Sequence, residues 1–312
     1  MTVGGRPFFC LPCEQMEKTT KSVHDESVAP TPHTVCNTIG MGQFGIVYES
    51  VLPSYGVVAI KRTLITSMPE YERIMRERHH LETLKHPRIA KLLETWVVPS
   101  VNVAERKTIW LVMEHAGRDS LFDWFQSNGV VEFKKRATIL FDIVDAISYI
   151  HAKGLVHGDI KLENITIKSG QIKVVDLGYM QEESELSREK PMGGTLAYCA
   201  PEVLMHIGFG KQSADVWSLG VVIYSLAIGS FPVTHASYDH SLYCAAANSQ
   251  RFYGHCPLTS FTSLHNLETS TIHACDRELI NASLCVDESK RLPSYKLRKI
   301  ALRYAQEIYR GD

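Results

Sequence analysis

Neither sign of charge is in excess. The chain carries 33 lysines and arginines against 34 aspartates and glutamates, for a net charge of −1. No polyanion can be held by bulk electrostatics on that balance, so no nucleic-acid partner is expected. A cysteine framework is also missing. The eight cysteines are scattered in a chain too long to need staples, which favours reduced thiols in a cytoplasmic or nuclear setting. No basic segment followed by an apolar stretch opens the chain, so no secretory signal is expected. Long apolar runs are scarce. The uncharged run Val216–Val233 covers eighteen residues, the lower edge of membrane-spanning length. Its glycines, serines and Pro232, with an aspartate leading in and no basic flank, fit a buried core helix better, and no membrane partner is expected.

What is present suffices for a sizeable core: 312 residues at 45% hydrophobic content make one two-lobed domain or two modest ones. Residues 1–33 are polar, contain Pro30 and Pro32, and show no periodic apolar face, so a largely disordered leader is expected. Cys10 and Cys13 form a C-x-x-C there. A structural zinc site needs four ligands, and only His24 and His33 lie nearby, so two free thiols are the simpler reading.

From Val35 the pattern turns strand-like. Ile39–Val47 (IGMGQFGIV) spaces Gly40, Gly42 and Gly45 as G-x-G-x-x-G, a pattern shared with dinucleotide folds. There it opens a helix. Here Ile46, Val47, Tyr48 and, past a Pro53–Gly56 turn, Val57–Lys61 (VVAIK) continue as strand. A glycine hairpin lets backbone N–H groups approach phosphates with no Cβ in the way. Pro69–Lys85 reads as a helix, with Tyr71, Ile74, Met75, Arg78, Leu81 and Leu84 at helical spacing. Thr108–Gly117 (TIWLVMEHAG) reads as an apolar strand. Phe133–Gly154 reads as a long amphipathic helix with Ile139, Leu140, Ile143, Val144, Ile147 and Ile150 in its stripe and Gly154 as its stop. That helix is read as core rather than chemistry.

Val156–Gly178 (VHGDIKLENITIKSGQIKVVDLG) sets Asp159, Asn164 and Asp176 at the edges of short apolar strands. Mg2+ takes one or two oxygen ligands from protein while phosphates supply others, and Asn164 and Asp176 can supply them. Asp159 can then orient an attacking hydroxyl and accept its proton. The stretch resembles the catalytic loop and magnesium-binding element of protein kinases, written H-R-D-L-x-x-x-N and D-F-G in that family. Two letters depart: Gly158 stands where Arg is usual and Leu177 where Phe is usual. The glycine loop, Lys61 in V-A-I-K, GGTLAYCAPE (Gly193–Glu202), Asp215 in SADVWSLG and Arg291 in DESKRLPS follow the family's order over about residues 35–305.

The resemblance implies an α+β, two-lobed protein-kinase fold: a small antiparallel sheet with one helix over residues 34–114, then a larger helical lobe over 118–305 and a tail over 306–312. ATP would lie between the lobes. Ile39, Gly40, Met41, Gly42, Gln43, Phe44, Gly45, Ile46 and Val47 would cover it, with Ala59, the gatekeeper Met113 and backbone at Glu114 and Ala116 around the adenine. Thr166 stands where the family offers an apolar floor. Lys61 would hold the α- and β-phosphates and pair with Glu77, with Glu70, Glu72 and Glu82 as nearby alternatives. Asp159 would be the base and Lys161 the cation on the transferring group, with Asn164 and Asp176 on magnesium. His157, Leu177, Gly178 and Thr195 would be structural, as would Asp215, anchoring the catalytic loop from below, and Arg291, pairing with Glu202. Lys161 and Gly194-Thr195 follow the serine/threonine pattern, implying a protein Ser/Thr substrate. Glu163, assisted by Asp119, would receive an arginine upstream of the acceptor. Gly158, with Lys190-Pro191 at the usual phosphosite and Ser184 and Ser187 set among glutamates, implies no need for activation-loop phosphorylation. Two other readings stay open at this point: a nucleotide-binding scaffold and a small-molecule phosphotransferase, whose catalytic loop is also written HGD.

Overall fold

The computed structural model describes residues 35–42, 45–99, 107–186, 195–204, 211–232, 250, 257–264 and 272–310. Five antiparallel strands come first: β1 (Val35–Gly42), β2 (Gly45–Leu52), β3 (Gly56–Ile65), β4 (Leu92–Pro99) and β5 (Lys107–Glu114). They lie in the order β1-β2-β3-β5-β4, with helix α1 (Met68–Thr83) crossing between β3 and β4. Alternation along each strand splits the sheet into two faces. Leu52, Val58, Ile60, Trp96 and Val112 pack together on one. Ile65, Ile109, Leu111 and Met113 turn to the other and join Ile74 and Leu81 of α1 in the main core.

Helix α1 begins where Ser67 accepts a hydrogen bond from Glu70 N–H while the Glu70 carboxylate accepts from Ser67 N–H, with Pro69 in the first turn. It ends at Thr83, two residues short of the expected Lys85, because Leu84 is already extended ahead of His86-Pro87.

The second lobe is mainly helical: α2 (Leu121–Asn128), α3 (Phe133–Ala152), α4 (Pro201–Leu204), α5 (Gln212–Ile228), α6 (Pro257–Leu264), α7 (Ala274–Ser283) and α8 (Ser294–Arg310). The last of these spans the boundary placed at residue 305. Two small ribbons sit among them, β6 (Leu155–Val156) with β9 (Gln181–Glu182), and β7 (Ile165–Lys168) with β8 (Gln171–Val174). Ser169 and Gly170 both have positive φ, 51° and 79°, the two-residue turn that suits the twist of a hairpin. Because Ile165 pairs with Val174, this tight turn carries Asn164 and the segment leading to Asp176 to the same end of one ribbon. The expected two-lobed α+β architecture is the one observed.

The uncharged run from Val216 to Ile228 lies in α5, whose Trp217, Leu219, Val222, Ile223 and Tyr224 are all buried. Among the described residues no helix is long and apolar enough to cross a membrane. Gly220 lets α5 approach the end of α7. A Cβ there would lie 2.5 Å from Ser283 Oγ and 2.8 Å from Leu284 Cδ2, and Ser283 is itself fixed by donating to Leu279 O at 2.7 Å. Gly220→Ala is therefore expected to destabilise the fold by about 2 kcal/mol, overpacking outweighing the gain in helix propensity. Urea unfolding checks this, and a variant as stable as the parent would refute it.

Candidate active site

The roof of the cleft is the β1–β2 hairpin. Gly40 pairs with Val47, Met41 with Ile46 and Gly42 with Gly45. Ile39 precedes them in β1, and Gln43 and Phe44 at the tip lie outside the described residues. Gly45 is obligatory: its φ is +138° and a Cβ would overlap the Arg62 carbonyl. Val47 pairs with Lys61, and Ala59 pairs with Met113 of β5, so roof, lysine and gatekeeper share one register. At the back edge Glu114 N–H donates to Lys91 O at 3.0 Å. The Thr166 hydroxyl donates to Ala116 O at 2.9 Å, so no unsatisfied hydroxyl faces the cleft from the floor.

Lys61 Nζ donates to Glu77 Oε1 at 2.6 Å and to Asp176 Oδ1 at 2.8 Å. Glu70, Glu72 and Glu82 are not brought to it. Lys61 and Glu77 are buried, at 5% and 1% exposure, where an unpaired charge would be costly. Burial works against the Lys61 ammonium, but Glu77 and then Asp176 outweigh it and hold its pKa above the ordinary value. Asp176 is held below the ordinary range although burial opposes this, chiefly by Lys61. The Asp176 backbone sits at φ +59°, an uncommon conformation that aspartate tolerates. Gly178 N–H closes back on Asp176 Oδ1 at 3.3 Å, and Leu177 is buried in the main core.

Asp159 forms a second cluster. Its Oδ1 accepts from Thr195 N at 3.1 Å and Thr195 Oγ1 at 3.0 Å. Its Oδ2 accepts from Asn164 Nδ2 at 2.9 Å and lies 2.6 Å from Lys161 Nζ. Lys161 also donates to Thr195 Oγ1 at 2.8 Å. Asn164 Nδ2 is further committed to Asp159 O, which leaves its Oδ1 oriented as an oxygen ligand. With the Asp176 carboxylate that makes two hard oxygen donors from protein, the number Mg2+ usually accepts beside phosphates. The residues fit the ion.

The loop that carries Asp159 rests on Asp215. Its carboxylate accepts from His157 N at 2.7 Å and Gly158 N at 3.0 Å, and His151 Nε2 lies 3.0 Å away. Gly158 takes φ +81° in this loop, a conformation that costs a side-chain-bearing residue more than glycine. Burial holds the His157 pKa below its ordinary value, and His157 Nδ1 accepts from Asp159 N–H at 3.3 Å. His151 comes from α3, the helix read as core alone, and is a functional neighbour that the sequence reading passed over. Tyr198 is another: its hydroxyl donates to Glu163 Oε2 at 2.9 Å. Glu163 and Asp119 are both exposed. Arg291 holds Glu202 with two bonds, 2.6 and 2.8 Å, below the loop.

Comparison with known proteins comes to the same place. The protein kinase domain family matches residues 33–301. Serine/threonine-protein kinase ppk16 of Schizosaccharomyces pombe is 33% identical over 235 residues, 70% of this chain and 33% of that protein. The probable serine/threonine-protein kinase MARK-A of Dictyostelium discoideum is 31% identical over 265 residues, 83% of this chain and 23% of that protein. CBL-interacting protein kinase 1 of Oryza sativa subsp. japonica is 32% identical over 208 residues, 64% of this chain and 44% of that protein. The chain thus spans less than half the length of each of these relatives. A family match covering most of this sequence, over a cleft assembled in this way, means that the chain belongs to the protein kinase domain family.

Proposed function

We propose that the chain is an ATP-dependent serine/threonine protein kinase that transfers the γ-phosphoryl group to protein Ser and Thr hydroxyls. The observation that carries this reading is the intact chain of contacts Glu77–Lys61–Asp176 beside Asp159–Lys161–Thr195. Lys61 and the glycine hairpin place the triphosphate. Magnesium held by Asn164 and Asp176 would neutralise charge on the β- and γ-phosphates. Asp159 orients the acceptor hydroxyl and takes its proton, and Lys161 stabilises the transferring group. A scaffold would have no need of all these partners at once. A magnesium-dependent rise in thermal stability with ATP, followed by transfer to a pool of Ser/Thr peptides, tests the reading. Nucleotide binding without transfer supports the scaffold instead, and transfer only to small hydroxylic compounds supports the small-molecule phosphotransferase.

Activity as translated is part of the proposal. Gly158, standing where the family writes Arg, brings only a backbone N–H to Asp215, so an activation-segment phosphate would find no guanidinium there. Ser184 is exposed next to Glu182 and Glu185, and a phosphate there would be repelled. Ser187, Lys190-Pro191, Gly193 and Gly194 lie outside the described residues. A Ser184→Ala, Ser187→Ala double variant and phosphatase-treated wild type are both expected to keep activity within about threefold on peptide. A tenfold loss in either, about 1.4 kcal/mol of transition-state stabilisation, would refute this.

Substrate charge follows from Glu163, whose exposed carboxylate is oriented by Tyr198 beside the catalytic loop. An Arg two or three positions before the acceptor would gain a charge-assisted hydrogen bond. Peptide arrays are expected to show at least about a threefold gain from that Arg. No gain would reject the preference.

A further inference from the structure

A separate charged cluster sits at the mouth of the cleft, outside the transfer machinery. Glu49 lies in β2, paired with Ala59 of β3. Residues two apart on a strand share a face, so Glu49 shares the face of Val47. Its carboxylate is buried, at 7% exposure. Arg118 grips it as a fork, donating from Nε to Oε2 at 2.9 Å and from Nη2 to Oε1 at 2.6 Å. His115 Nε2 lies 2.9 Å from Oε2, off the line along which a ring N–H donates. The His115 side chain is nine-tenths buried, and neither ring nitrogen has a hydrogen-bond partner among the described residues. The Arg118 hydrogen bonds, against the cost of burial, hold the Glu49 carboxyl down to about 2.

Arg118 and His115 belong to the segment joining the lobes, and that segment is pinned to the floor. Thr166 donates to Ala116 O, and Ile167 N–H donates to Asp119 O at 3.1 Å. Gly117, at φ +116°, passes so close that a Cβ would lie 3.0 Å from Ile167 O. Among the described residues the backbone ladder of β2 runs sideways, to β1 and β3. Glu49 is where the roof strand meets the pinned segment.

We propose that Glu49, Arg118 and His115 form a clamp that sets the height of the glycine-hairpin strand over the joining segment. This makes Glu49 and Arg118 positioning residues for the nucleotide. The inference rests on the cleft being the nucleotide site.

The test is an equilibrium titration with a fluorescent ATP analogue (mant-ATP with magnesium), run beside transfer kinetics on peptide. Arg118→Ala and Glu49→Gln are each expected to raise the analogue's Kd and the KM for ATP about fivefold, with kcat and the peptide KM within about twofold. Both remove the same interaction, so the double variant is expected to bind no worse than the weaker single. Arg118→Lys keeps the charge but loses the fork, and is expected to fall between wild type and alanine. Affinity unchanged in both singles, additive losses in the double, or a loss confined to kcat overturns the clamp. The Arg118 side chain is 63% exposed, so its alanine variant is expected to fold even if Glu49→Gln does not. A wild type that binds the analogue without transferring phosphate defeats the catalytic reading and leaves the titration decisive. A wild type that binds no nucleotide overturns both.

Discussion

Asp159→Asn is expected to lower phosphate transfer by at least about a hundredfold while ATP affinity stays within about twofold. The structure separates the two quantities. The Asp159 carboxylate is held by Thr195, Asn164 and Lys161, whereas the roof hairpin, Lys61 and the β5 edge lie on the other side of the cleft. An asparagine keeps the size and can still accept from Thr195. It cannot take up a proton from an acceptor hydroxyl, and its amide would set donors against Asn164 Nδ2 and Lys161 Nζ. Lys61→Met is the contrasting case. It removes the cation 2.6 Å from buried Glu77 and is expected to act through nucleotide positioning. Residual turnover above about a hundredth of wild type in Asp159→Asn would remove the role given to this residue.

Asp215→Asn is expected to destabilise the chain by about 3 kcal/mol, the scale for breaking one side of a buried charged network. Two backbone N–H groups and His151 converge on this carboxylate, and a neutral amide cannot satisfy all three. The pH dependence gives a second readout. Burial opposes ionisation of Asp215, but the His151 hydrogen bond and charge, His157 and the Gly158 N–H hold its pKa below the ordinary value. A depressed carboxyl contributes stability above its unfolded pKa, near 4, and that contribution is lost as the pH falls through the folded value. Wild type is therefore expected to lose stability more steeply than Asp215→Asn below about pH 4. Denaturant unfolding across that range checks both parts. Equal stability at neutral pH, or parallel acid profiles, would show that Asp215 does not anchor the loop.

The parts of this site that were legible in the sequence are those written locally. Lys61 sits in a short β pattern, Asp159 and Asn164 stand five residues apart in one loop, and Glu77 was found by its distance from His86-Pro87 and turned out to meet Lys61. Contacts between distant segments were legible only where the family resemblance names both partners, as for Arg291 and Glu202 or Asp215 and the catalytic loop; the others were not. His151 and Asp215 are 64 residues apart, and helical periodicity reports that a residue is buried without naming what it is buried against. Glu49 and Arg118 are 69 apart and belong to no spacing pattern at all. Thr166 was legible only as a polar letter on an apolar floor. Its consequence depended on the direction of one hydroxyl, which the backbone of Ala116 decides. The fold was readable for the opposite reason, because strand alternation and the apolar stripe of α3 are repeated over many residues.

The central claim is that the assembled cleft transfers phosphate without a prior phosphate on its own activation segment. Its most direct measurement is the initial rate of γ-phosphate transfer from labelled ATP to a Ser/Thr peptide pool by phosphatase-treated chain, with and without magnesium. The account predicts immediate, magnesium-dependent labelling of serine and threonine with no lag for autophosphorylation. Magnesium-dependent ATP binding with no label in the peptides, or labelling only after a lag that phosphatase restores, would contradict it.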